Sequence, residues 1–124
     1  METGIKGHST MTVTEDKVAA SVGSGSMSVL STPSMLALIE STAWHSVLPC
    51  LEEGQGTVGT KVELDHLAAT PPGAEVVCDT ELIEVDRRKL TFTATVRCGE
   101  TIIGTCRHER FIVDEARFLS KVGL

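Results

Sequence analysis

Apolar residues change their spacing once along this chain. Between Leu36 and Leu51 they recur every three or four positions, and from Val58 onward they alternate with polar ones. At about 100° per residue, Leu36, Ile39, Ala43, Trp44, Val47, Cys50 and Leu51 fill one broad arc, which predicts a long helix pressed onto a sheet. Thr32-Pro33 supplies a start: a hydroxyl residue at the N-cap, then proline at the first helical position, where its missing N–H costs nothing. Gly54 lies just beyond the end, so the helix is expected over about residues 33–51.

After the helix the period falls to two. Val58, Thr60, Val62, Leu64 and His66 alternate with Gly59, Lys61, Glu63 and Asp65, so one strand face is mostly apolar and the other charged. Thr70-Pro71-Pro72-Gly73 breaks the chain before a second strand at about 75–85. Asp86-Arg87-Arg88-Lys89 turns into a third, from Leu90 to Cys98, and Gly99-Glu100 turns into a fourth at about 101–113. Connections this short predict an antiparallel meander, because parallel neighbours need crossovers of a dozen residues or more. The layout is α+β, one long helix wrapped by an antiparallel sheet, in a single domain over residues 1–124. Residues 1–8 read as a loose start, and Met11-Thr12-Val13-Thr14 has moderate strand character. Ser21 to Ser28 is too rich in Ser and Gly for regular structure. It predicts a loop at 20–31 that suits a lid better than a linker, since the twenty or so residues before it cannot form a domain.

Composition narrows the function. With 11 Lys+Arg against 17 Asp+Glu the net charge is −6, and 41% hydrophobic with 23% charged residues describes a folded domain with a real core. An acidic chain with 3% aromatic residues lacks the phosphate-neutralising surface and stacking platforms of a nucleic-acid binder. No apolar run reaches the roughly 18 residues of a membrane span, and the polar start has no signal-peptide apolar region. Cys50, Cys78, Cys98 and Cys106 form no CxxC pair and no metal-ligand spacing, so they read as free thiols of a reducing cytoplasm.

Three polar residues stand out against this pattern. Glu40 lies about 40° from Leu36 on the helical wheel and about 20° from Val47, inside the apolar arc, where a carboxylate needs a partner or a function. His66 shares its strand face with Val62 and Leu64, so it points toward the helix and could meet Glu40 in a common pocket. Thr32 adds a hydroxyl at the helix start, beside free backbone N–H groups suited to an oxyanion. Gly54-Gln55-Gly56-Thr57-Val58-Gly59 matches G-x-G-x-x-G but follows a helix and opens a strand, the reverse of a dinucleotide site, and reads as a turn. Arg87, Arg88 and Lys89 cluster in one turn and Arg110 lies further on. Such cations are candidates for holding the phosphates of an anionic ligand.

The order of Thr32, Ile39-Glu40, Gly54 to Thr60, Asp65-His66-Leu67-Ala68-Ala69-Thr70-Pro71-Pro72-Gly73 and Arg107-His108-Glu109-Arg110 resembles the fluoroacetyl-CoA thioesterase family of hot-dog proteins. The resemblance spans roughly residues 30–113. It implies a hot-dog fold, a dimeric unit, a catalytic Thr32, Glu40 and His66, and an acyl-CoA substrate with no cofactor beyond the coenzyme A of the substrate. Where the fluoroacetyl-specific enzyme has phenylalanines over the acyl group, this chain has Ser24-Gly25-Ser26-Met27-Ser28-Val29-Leu30, so the acyl group stays open. The expected reaction is hydrolysis of a small acyl-CoA, with Glu40 as nucleophile or as base on water. The alternative is a non-catalytic acyl-CoA or small-ligand binding protein on the same fold.

Overall fold

The computed structural model describes residues 1–124. Five antiparallel strands, β1 (Lys6–Thr12), β2 (Gln55–His66), β3 (Glu75–Asp86), β4 (Lys89–Cys98) and β5 (Thr101–Asp114), form one sheet in the order β1-β3-β4-β5-β2. The helices are α1 (Ala19–Val22), α2 (Thr32–Val47) and α3 (Glu115–Ser120). The sheet curls around α2, which is the hot-dog arrangement.

The meander holds only for β3, β4 and β5. Residues 67–74 form a link too long for a tight hairpin, and it carries the chain across to β3, so β2 pairs with β5 at one edge of the sheet. At the opposite edge, β1 pairs with β3 from Lys6↔Glu81 to Thr12↔Glu75, so part of the segment expected to be loose is a strand. Its apolar signal is weak because its half-buried positions are Gly7, Ser9 and Met11. Gly7 is required there, since a Cβ would run into Thr80 and the Thr42 carbonyl. The segment expected as a lid holds α1 and a loop pinned at its base by Ala19 N–H to Val29 O and Leu30 N–H to Thr70 O.

α2 begins one residue earlier than its Thr-Pro signal suggests. Ser31 is the N-cap, its Oγ accepting from the Ser34 N–H at 3.1 Å, which frees the Thr32 hydroxyl for another partner. The helix ends at Val47 rather than near Leu51, because Pro49 cannot donate to the ladder and the chain tightens into a 3-10 turn over Leu48–Cys50. Met35, Leu38, Ile39, Thr42, Ala43 and Val47 form the buried face. Met35, Leu38 and Ile39 meet Val76, Cys78, Ala94, Val96 and Ile103, while Ala43 and Val47 meet Leu82, Leu90 and Phe92. Burying one such side chain contributes about 1.5–3 kcal/mol, which ties the helix to the sheet along its length. The row Leu36, Glu40, Trp44 lies on a flank, with Glu40 against β2. The burial of Cys78 and Cys106 pushes both thiols up to about 11, so they are inert members of the core.

Candidate active site

A β-bulge builds this site. Between Gly59 and Lys61 the β2–β5 register shifts by one, leaving Thr60 as the extra residue. Past the bulge, Val62, Leu64 and His66 share a register with His108, Cys106 and Gly104; before it, Gly59 pairs with Arg110 and Thr57 with Ile112. The inner face therefore switches parity, and Gly59 occupies the place that simple alternation gives to Val58 or Thr60. Gly59 leaves room for Glu40: a Cβ there would sit 2.5 Å from Glu40 Oε2.

Glu40 is half-buried and held from the sheet. Arg110 Nη1 donates to Glu40 Oε2 at 3.1 Å, and the Arg110 side chain is only 8% exposed. The same Nη1 donates to His108 Nε2 at 3.1 Å, while Nε donates to Thr57 Oγ1 at 2.9 Å and Nη2 to the Thr57 carbonyl at 3.0 Å. Four of the five guanidinium donors are thus engaged, so Arg110 fixes one carboxylate oxygen in place. Desolvation lowers the Arg110 pKa and Glu40 raises it again; the guanidinium stays charged. Glu40 Oε1 has no protein partner within hydrogen-bonding distance.

His108 lies fully buried beneath this pair, its Nδ1 2.8 Å from the Lys61 carbonyl. A carbonyl can only accept, so Nδ1 carries the proton and Nε2 is the acceptor that Arg110 needs. Desolvation, reinforced by the Arg110 charge, keeps the ring below its usual 6.5, against the opposing pull of the Lys61 hydrogen bond, Glu40 and Glu109.

Thr32 and His66 form a second pair, with Thr32 Oγ1 and His66 Nδ1 2.8 Å apart. The link exists because Ser31 takes the capping role. Within one chain it is remote from Glu40. His66 lies seven residues along β2 from Gly59, about 23 Å, and Thr32 lies about 12 Å down α2 from Glu40. The pocket expected to join Glu40 and His66 is therefore absent within a single chain.

The four cations also divide. Arg87, Arg88 and Lys89 line an open cleft of about 520 Å³ with Asp86 and Phe111. Arg87 takes the left-handed conformation, φ 57°, that closes the tight β3–β4 turn. Arg110 pairs with Leu90, next to Lys89, but its side chain is buried on the inner face beside Glu40 and does not line that cleft. No group of three or more His, Cys, Asp or Glu side chains is placed to hold a metal ion. Gly59, Thr57 and His108 escaped the reading of the sequence. The signal was present in the glycine-rich stretch, of which only Gly54 is a turn residue, with φ 83°; Gly56 and Gly59 lie inside β2.

Comparisons with known proteins agree with this fold. The family model described as fluoroacetyl-CoA-specific thioesterase matches residues 13–116. The fluoroacetyl-CoA thioesterase of Streptantibioticus cattleyicolor is 36% identical over 94 residues, 76% of this chain and 68% of that protein. A solved structure of a fluoroacetyl-CoA thioesterase superposes with TM-score 0.92 at 30% identity, covering 98% of this chain and 95% of that one. A thioesterase superfamily member from Thermus thermophilus, at 23% identity and TM-score 0.89, covers 98% of this chain and 90% of its own, and shares the fold. Sequence and topology thus converge, and the chain belongs to the fluoroacetyl-CoA-specific thioesterase family.

Proposed function

We propose that the protein hydrolyses a small acyl-CoA thioester to acid and coenzyme A, with Glu40 as the reacting carboxylate. The observation that carries this reading is the Glu40–Arg110 pair, which holds Oε2 and leaves Oε1 free to act. Oε1 delivers an electron pair to the thioester carbonyl, forming an anhydride that water then opens, or takes a proton from a water that attacks instead. Either route expels a thiolate of pKa about 8.5, a leaving group that needs little help from an acid. The Thr32–His66 pair donates to the carbonyl oxygen as it gains charge.

The site is completed by a second copy of the chain. β2 is an edge strand of 12 residues, flanked by exposed or half-exposed Val62, Leu36 and Trp44, and an unpaired apolar edge favours pairing with a like strand. In an antiparallel β2 pair with its two-fold at Glu63, where Val62 meets Leu64 and Thr60 is again bulged out, Gly59 stands opposite His66 of the partner subunit. That register brings Glu40 of one copy to the Thr32–His66 pair of the other and removes the separation found within one chain.

Arg87, Arg88 and Lys89 serve the coenzyme A phosphates in this scheme, and the loop over residues 20–31 covers the acyl end. No helix is long and apolar enough to cross a membrane, and the free thiols fit a reducing cytoplasm. The test is free-thiol release from acetyl-, fluoroacetyl-, propionyl- and an aromatic acyl-CoA by wild type and Glu40→Gln. Turnover lost in a folded Glu40→Gln supports the assignment. No release from any member, with thermal stabilisation by CoA esters, would make the protein a binder instead.

A further inference from the structure

We infer that His108 is a positioning residue for Glu40: the Lys61 carbonyl beside the bulge fixes its tautomer, so that Nε2 orients Arg110 and Arg110 orients the carboxylate. The inference rests on the thioesterase reading above and assigns a role to a ring that touches no substrate.

Three observations carry it. His108 is fully buried, where an imidazole without partners would be costly, yet both ring nitrogens are engaged. Its partners act in series: Lys61 O accepts from Nδ1 at 2.8 Å, Nε2 accepts from Arg110 Nη1 at 3.1 Å, and that same Nη1 donates to Glu40 at 3.1 Å. His108 itself stays 4.0 Å from Glu40 Oε2, beyond hydrogen-bonding distance, so its influence passes through the guanidinium. The opposite tautomer would aim an N–H at the Arg110 donors and break the series at its centre.

The bulge has a place in this arrangement. A strand carbonyl in an unbroken ladder lies in the plane of the sheet, and the inner-face ring of the neighbouring strand does not reach it. The local bend at Thr60 presents the Lys61 carbonyl to His108, whose own pairing partner is Val62. The groups around the ring are Arg110 and Glu109 from β5, Glu40 from α2, the Lys61 carbonyl from β2 and the Phe92 ring from β4, 6.3 Å away. Protonation at Nε2 replaces the acceptor with a donor facing a fixed cation, so the carboxylate is released on the acid side.

The test compares His108→Phe with His108→Gln. Phenylalanine keeps the bulk but neither hydrogen bond, whereas glutamine keeps one acceptor and one donor and does not titrate. The expected result is a fall in kcat of about 100-fold for His108→Phe with KM changed less than about threefold. His108→Gln should recover kcat to within about tenfold of wild type and lose the acid limb that His108 contributes to the pH profile. A folded His108→Phe with wild-type kcat would overturn the inference, as would equal losses in both folded variants. If neither variant folds, 15N NMR of the wild-type imidazole decides: the proton belongs on Nδ1, and an Nε2–H tautomer would overturn the inference. Absence of turnover in the wild type would instead overturn the thioesterase reading beneath it.

Discussion

Replacing Gly59 by alanine separates the stability of this fold from the geometry of its carboxylate. The added Cβ would sit 2.5 Å from Glu40 Oε2, 3.2 Å from His108 Cε1 and 3.3 Å from Arg110 Nη1. The last two are tight but tolerable. Reaching an ordinary carbon–oxygen contact requires Oε2 to move by about 0.8 Å, at the expense of its bond to Arg110. The backbone of Gly59 does not have a positive φ, so alanine imposes no strain of its own and slightly restricts the unfolded chain. The displaced atom ends a flexible, half-buried side chain, so the fold should lose no more than about 1–2 kcal/mol. A reacting group misplaced by nearly 1 Å costs on the order of 100-fold in rate, or about 2.7 kcal/mol of transition-state stabilisation. Thiol release measured beside thermal melting should therefore show kcat falling by two decades while Tm moves by a few degrees. A Gly59→Ala enzyme with wild-type kcat would refute the claim that Glu40 acts from its place over Gly59.

Other perturbations probe the remaining parts. Ser31→Ala removes the α2 cap and should cost about 1 kcal/mol of stability in a denaturant melt, whereas Thr32→Val should leave stability nearly unchanged and lower kcat. Because folding lowers the His108 pKa from 6.5, the unfolded chain binds more protons below that pH; stability should be level above about 6.5 and fall on acidification until the folded pKa is passed. His108→Gln should flatten that part of the stability curve, read by urea midpoints across pH. Arg88→Ala should raise KM for an acyl-CoA several-fold and leave KM for the matching acyl-pantetheine, which lacks the nucleotide phosphates, unchanged.

The helix and four of the strands were legible in the sequence because their apolar periods are long and clean. β1 was not, since a strand whose inner positions are Gly7, Ser9 and Met11 shows little alternation. The position of β2 was hidden for a different reason. Pairing β2 with β5 is a long-range choice permitted by the length of the 67–74 link, and hydrophobic period does not encode it. Glu40 could be found because a carboxylate inside an apolar arc is anomalous, and His66 because alternation past the bulge is regular. Gly59 and Thr57 are hidden by the one-residue bulge at Thr60, which switches the faces of β2 and leaves the glycine-rich stretch as its only trace, and His108 on β5 gains its meaning only from the Lys61 and Arg110 groups the fold brings to it. Thr32 was found for its place at the helix start, although Ser31 does the capping and Thr32 turns to His66. From the sequence Arg110 is one more candidate for an anionic ligand's phosphates, because burial of an arginine is invisible until its acceptors, Thr57, His108 and Glu40, are brought together by the fold.

The central claim is that Glu40 of one copy works with Thr32 and His66 of another, and mixed dimers test it most directly. Glu40→Gln and His66→Ala should each be nearly inactive alone. Refolded together in equal amounts, they should recover about a quarter of the wild-type thiol release, since half of the dimers carry one intact site of two. A mixture of folded, dimeric variants that stays as inactive as its parents would contradict the account.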